Sequence, residues 1–159
     1  MRLTLHTDYS LRVLLYLATH PDRLVSTQEI SEAYGISKNH LVKVVLTLGK
    51  HGFLDVRPGR TGGLALGRPP AEISLGLVVQ TTEPDFFLVE CFDSKRNQCP
   101  ITPVCGLPAV LTEAHNAFLK VLLSYSLEDV LRLSNQSFEP FFLNQPASAS
   151  PQPRQDKNT

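Results

Sequence analysis

Between Ser26 and Gly52 the chain carries two helix beginnings and two helix endings, and this punctuation limits the fold more than any other feature. Ser26-Thr27-Gln28-Glu29 has the spacing of a capping box, in which the Ser hydroxyl and the Glu carboxylate satisfy each other's backbone amides. It predicts a helix from Thr27 to about Tyr34 that stops at Gly35, a residue suited to a left-handed turn. Ser37 then caps a further helix that presents Leu41, Val44, Val45 and Leu48 inward until Gly52 closes it. Upstream, Thr7 or Asp8 caps a first helix whose Leu11, Leu14, Leu15 and Ala18 repeat at three- and four-residue intervals, and Pro21-Asp22 ends it. The result is one helix followed by a pair of short helices joined by a tight turn.

Past Gly52, the stretches Phe53 to Arg57 and Gly63 to Leu66 flank Pro58-Gly59-Arg60-Thr61-Gly62, a β-hairpin pattern with a basic tip. Ser74 caps another helix through about Glu83. Beyond the cysteine segment, Leu107, Val110, Leu111, Ala114, Ala117, Phe118, Val121 and Leu122 predict a long helix with one apolar face. Ser126-Leu127-Glu128-Asp129 opens a final short helix. From Asn144 the Asn, Gln, Pro and Ser composition cannot assemble a core, so the tail reads as disordered.

A chain of 159 residues with 42% hydrophobic and 19% charged residues buries one core, which excludes wholesale disorder. The start meets charge before any apolar run reaches signal-peptide length, so no membrane association is expected. The net charge of zero hides a split. Residues 1–70 hold nine Lys/Arg against five Asp/Glu, a surplus of +4, while residues 71–159 hold six against ten, a deficit of −4. Phosphate affinity follows local charge, so the front half suits a polyanion partner.

Helix, turn, helix and a hairpin with Arg57 and Arg60 near its tip is the order of a winged helix-turn-helix, whose third helix enters the major groove. Ser37, Asn39 and His40 can hydrogen-bond base edges or phosphates, while Lys38, Lys43 and Lys50 can neutralise backbone charge. The wing arginines suit the negative potential of a narrow minor groove. The helix pattern alone fits equally a small bundle with a solvated polar face. Gly59 to Gly63 lacks the GxxxxGK[ST] order and does not open a helix, so a nucleotide-binding loop is the weaker reading.

Three cysteines, Cys91, Cys99 and Cys105, stand in a C-x7-C-x5-C pattern. An odd number without an export signal argues against a disulfide framework and for a reduced, cytoplasmic compartment. Clustered thiolates beside two prolines make a soft-donor pocket suited to an iron–sulfur cluster, zinc or copper(I), although the C-x2-C pairs usual for zinc are absent. The competing reading is that one or more is a small buried hydrophobe. A four-ligand site still lacks a donor; Glu90, Asp93, Asp8, His6 and His115 are the candidates. Asp8, four residues before Arg12, is equally explained by a surface ion pair. A thiol enzyme would need a paired base, and His115 is the one histidine in the C-terminal half.

Taken in order, these features resemble the NsrR/IscR family of bacterial iron–sulfur transcription repressors over about residues 1–134. The matching pieces are LHTDYSLR at Leu5 to Arg12, ISEAYGISKNHLVKVVLTL at Ile30 to Leu48, GRTGGLAL at Gly59 to Leu66, ISLGLVVQTTE at Ile73 to Glu83, and the cysteines before a long helix. Asp8 in its TDYSLR setting, with no His soon after Cys105, looks more like the family's nitric oxide sensors than its cluster-assembly regulators. The gap between Cys91 and Cys99 is longer than is common in the family, and Pro58 stands where many relatives place Arg before the wing glycine.

The resemblance implies a mainly α fold: a winged helix-turn-helix with a small β-hairpin wing and a long C-terminal dimerisation helix, about Leu107 to Ser124. It divides the chain into a DNA-binding domain (1–84), a cluster-binding loop (85–106), the dimerisation helix with a short terminal helix (107–134) and the tail (135–159). It further implies a homodimer in which Cys91, Cys99 and Cys105 hold a 4Fe–4S or 2Fe–2S cluster, with Asp8 of the partner subunit as fourth ligand. The expected function is a non-enzymatic repressor that binds double-stranded operator DNA and senses nitric oxide. The alternative is an iron–sulfur-supply or thiol-redox regulator of the same fold.

Overall fold

The computed structural model of the chain describes residues 2–134, Phe138 and Phe142. Within them, α1 (Leu5–Ala18), α2 (Thr27–Tyr34) and α3 (Lys38–Lys50) precede a hairpin of β1 (Leu54–Arg57) and β2 (Gly63–Leu66). Next come α4 (Leu75–Thr82), α5 (Leu107–Leu123) and α6 (Leu127–Leu133). Short 3-10 turns occupy Pro70–Glu72, Glu90–Phe92 and Thr102–Val104. This is the mainly helical, winged arrangement expected.

The caps explain the boundaries. Ser26 Oγ accepts from the Glu29 amide at 3.1 Å and Ser37 Oγ from the His40 amide at 3.4 Å. Gly35 and Gly52 take φ of 63° and 71°, where a side chain would be strained, and so end α2 and α3. α1 begins earlier than a Thr7 or Asp8 cap would allow. Thr4 is the cap, its Oγ1 accepting from the Thr7 amide at 3.3 Å. Thr7 is instead fully buried and accepts at its Oγ1 from the Thr82 hydroxyl at 2.9 Å, tying α1 to α4.

The core lies where α1, α2 and α3 meet the hairpin. Val13, Leu14, Ile30, Leu41, Val44, Leu48, Ile73 and Val78 are wholly buried, each contributing about 1.5–3 kcal/mol relative to exposure. β1 and β2 pair antiparallel with Leu54 opposite Leu66 and Arg57 opposite Gly63. Val25 extends the sheet by one bridge, exchanging amide bonds of 3.0 and 2.8 Å with Leu64. α2 is lashed to α1 by Glu29, which accepts from the Tyr16 hydroxyl at 2.9 Å and from Arg23 Nη1 at 3.0 Å. Those bonds hold the Glu29 carboxyl below its ordinary value. Burial and the same carboxylate push the Tyr16 phenol up to about 12.

α4 packs on both α1 and α5, and α6 returns onto α1 with Leu127 buried and a capping box between Ser126 and Asp129. The long helix departs from the expected single apolar face. Leu119 is its one buried residue, while Leu111, His115, Phe118 and Leu122 are half-buried. A second stripe of Leu107, Val110, Ala114, Ala117 and Val121 is exposed. The two stripes interleave at the same three- and four-residue spacing, so in sequence they merge. The expectation of a disordered tail falls outside the described residues apart from Phe138 and Phe142. Among the described residues no helix is long and apolar enough to cross a membrane.

Candidate functional site

The exposed face of α3 is set by its period. With Leu41, Val44 and Leu48 locked inward, Lys38, Asn39, His40 and Lys43 are exposed, as is the capping Ser37. Two residues that the sequence did not single out share this face: Val42 is 50% exposed and Leu46 68%. Apolar side chains standing free among lysines and an asparagine suit thymine methyl groups. The signal for them was present, since they sit off the buried period.

The wing carries Arg57 and Arg60 into solvent, both exposed. Arg57 Nε donates to Asp55 Oδ2 at 2.9 Å, while Arg60 makes no ion pair among the described residues. A third arginine, Arg68, fixes the hairpin to the end of α3. Its Nε donates to the Gly52 carbonyl at 3.1 Å and its Nη2 to the His51 carbonyl at 3.0 Å, with the guanidinium 5.0 Å above the Phe53 ring. It satisfies carbonyls that the end of α3 leaves open.

α1 touches the start of α3. The rings of Tyr9 and His40 lie 5.8 Å apart, and Arg12 stands 5.9 Å from the Tyr9 ring and 5.9 Å from the Tyr34 ring. Arg12 also grips Asp8 with both nitrogens of its fork, at 3.0 and 2.8 Å. The pair is 42% and 41% exposed, so solvent screening leaves it worth only about 0.3–0.5 kcal/mol. Asp8 can therefore change partners at small cost.

Cys91, Cys99 and Cys105 are free thiols, none of them buried. Each thiol is only part-buried, so none is a fully buried core residue among the described residues. Their loop is shaped by its own polar atoms: Asn97 Oδ1 accepts from the Cys99 amide at 3.1 Å, and the Thr102 hydroxyl donates to the Cys99 carbonyl at 2.9 Å. Among the described residues, no three His, Cys, Asp or Glu side chains gather into a metal-holding group. The donor set still fits an iron–sulfur cluster in kind: three part-exposed soft sulfurs on a loop of short turns, unbonded to one another. His115 sits 4.7 Å from the Phe86 ring, with a buried Nε2 that has no hydrogen-bond partner among the described residues.

Residues 3–133 match the Rrf2 family model, described as an iron-dependent transcriptional regulator. The HTH-type transcriptional regulator NsrR of Bacillus licheniformis is 49% identical over 132 residues, 82% of this chain and 92% of that protein. Its namesake in Bacillus subtilis is 51% identical over 133 residues, 83% and 91% of the two chains. Two solved structures share the fold. CymR, the global cysteine regulator of B. subtilis, superposes with a TM-score of 0.66 at 22% identity, over 85% of this chain and 99% of its own. T. potens IscR does so with 0.65 at 22% identity, over 88% and 96%.

Proposed function

Because the chain belongs to the Rrf2 family of transcriptional regulators, we propose that it is a homodimeric, cytoplasmic repressor whose grip on operator DNA depends on an iron–sulfur cluster and is released by nitric oxide. One observation carries this reading. Three free, part-exposed thiols lie in the loop leading into α5, on the same chain as an open recognition face and a basic wing.

The recognition helix enters the major groove. Ser37, Asn39 and His40 offer hydrogen bonds to bases or phosphates, Lys38 and Lys43 neutralise phosphates, and Val42 and Leu46 meet thymine methyls. Arg57 and Arg60 reach the adjoining minor groove. A second copy packs on the exposed stripe of α5. Leu107, Val110, Ala114, Ala117 and Val121 advance by three, four, three and four residues, the seam of a coiled-coil pair. Ala114 and Ala117 at its middle let two helices close.

Cys91, Cys99 and Cys105 are the residues to hold a 4Fe–4S or 2Fe–2S cluster, with Asp8 of the partner subunit as fourth ligand. When bound, the cluster supplies iron that a small diatomic such as nitric oxide attacks. The chain's own part is the relay from Asp8 to the groove. An Asp8 engaged elsewhere releases Arg12 from its fork, Arg12 borders Tyr9, and Tyr9 faces His40 in the first turn of α3. A change of partner at Asp8 thus tilts the residues that read bases, a two-state element of the kind a switch requires.

Protein purified without oxygen should carry iron and sulfide in each dimer by native mass spectrometry. Titration with nitric oxide should bleach its visible absorbance and weaken operator binding together. Operator affinity that stays constant while iron is lost would sink the proposal. The part-exposed thiols also suit an iron-supply or thiol-redox regulator. Comparing cluster-loaded, cluster-free and peroxide-treated protein on one operator separates the two readings.

A further inference from the structure

Phe142 stands at the centre of four rings that the switch does not use. Its centroid lies 4.8 Å from Tyr16, 5.3 Å from Tyr34 with the planes at 81°, 6.4 Å from His20, and 6.4 Å from Phe138 in a near-parallel stack. Offset and edge-to-face contacts at these distances are the arrangements aromatic rings favour. The side chain is part-buried against the core of the head.

The receiving surface is built without the tail. Tyr16 and His20 stack at 4.4 Å and Tyr34 meets Tyr16 edge-on at 6.0 Å. His20 Nδ1 lies 2.8 Å from the Tyr16 carbonyl oxygen and the Tyr16 hydroxyl donates to Glu29. Each of these three rings has another aromatic or polar partner, so Phe142 meets a face already oriented. The face bridges α1 and α2, since Tyr16 belongs to one, Tyr34 to the other, and His20 follows α1.

The family match ends at residue 133. The segment Ser137-Phe138-Glu139-Pro140-Phe141-Phe142 follows it, and its phenylalanines contrast with the polar residues that come after. We propose that the Tyr16–His20–Tyr34 face is a docking site for this aromatic C-terminal segment of the same chain, with Phe142 as anchor, and that docking fastens α1 to α2. The geometry favours the chain's own tail over that of a second copy. The Phe142 seated on the face is this chain's own, and α6, which precedes it, packs against α1. A tether of eight residues from Ser134 makes the effective concentration of Phe142 high. The proposal is independent of DNA binding and of any cluster.

The chain has no tryptophan, so Phe142→Trp introduces a single emitter. In the full-length protein its emission should be blue-shifted and poorly quenched by acrylamide compared with Gln152→Trp, and should stay so on dilution. Adding His20→Ala and Tyr34→Leu should return it to the solvent-exposed value while far-UV circular dichroism is retained. Emission like that of Gln152→Trp at every concentration would overturn the proposal. Protection that fades with dilution would overturn it in favour of docking on a second copy. Should the indole not fit the face, Phe142→Ala gives a second reading. Chymotryptic cleavage after Phe138 should then accelerate on the order of tenfold, because cleavage follows the undocked population; an unchanged rate would count against docking.

Discussion

Gly76 marks the tightest approach between α4 and α5, and replacing it with alanine tests whether that approach is a real constraint. A Cβ at this position would lie 2.5 Å from Leu123 Cγ, 2.7 Å from Cδ2 and 2.7 Å from the Leu123 backbone nitrogen. The side-chain atoms can rotate away. The amide nitrogen cannot, so the end of α5 must move. Overpacking of this sort costs about 1–3 kcal/mol, and contact with backbone puts the cost in the upper part of that range. Alanine's better helix propensity returns about 1 kcal/mol. The net loss expected for Gly76→Ala is about 1–2 kcal/mol, or a fall of roughly 3–6 °C in Tm for a domain of this size. Two companions isolate the cause. Gly106→Ala, with nothing within 4 Å among the described residues and φ of −82°, should show no clash and lose at most about 1 kcal/mol, the poorer capping of α5 by alanine. Gly35→Ala also has open space, but its φ of 63° should cost about 1 kcal/mol through strain alone. Thermal melts of the three variants by circular dichroism decide the matter. A Gly76→Ala protein that melts at or above the parent would refute the reasoning, because helix propensity would then have outweighed the clash.

Arg68→Ala should lower stability by about 1–2 kcal/mol, since it strips two carbonyls after α3 of a charged donor. Arg68→Lys should recover only part of this, lacking the fork that reaches both. Urea midpoints test both, and an unchanged midpoint for Arg68→Ala would remove its role at the wing base. Glu29 predicts a pH effect. Its carboxyl is held low first by Arg23 and also by Tyr16, so its contribution is complete above the ordinary Glu value of about 4.5 and fades as pH falls through the lowered folded value. Glu29→Gln should therefore be less stable than the parent near neutrality, with the gap closing in acid; a gap in Tm that persists in acid would contradict this.

The helix boundaries were legible where a single side chain decides them. Ser37 and Ser126 cap as their spacing suggests; Ser26 caps with its hydroxyl alone, because the Glu29 carboxylate turns to Tyr16 and Arg23 instead of closing the box, and Gly35 and Gly52 end helices at positive φ. The start of α1 is ambiguous in sequence because Thr4, Thr7 and Asp8 are all competent caps by type; the Thr4 hydroxyl takes the Thr7 amide while Thr7 is buried against Thr82. The exposed polar face of α3 is legible in its period, whereas Val42 and Leu46 stand exposed on that face although their apolar type suggests the core. Arg68 left no local trace, as its acceptors lie 16 and 17 residues away in sequence. The cysteines show a soft donor type in sequence but not whether they gather. Donor type is written in the residue, whereas gathering depends on neighbours in space, and the described residues supply no closed group.

α5 spans seventeen residues and buries one of them. A helix of that length, left with its apolar seam in water, gains little from its own hydrogen bonds. Under the proposed pairing its firmness is a property of the population. Each subunit's cysteine loop runs directly into the first turn of this rod, so a scarce, solitary chain would present its sulfurs on a poorly braced support. Abundance would then govern readiness to sense as well as readiness to bind, because mass action couples the two.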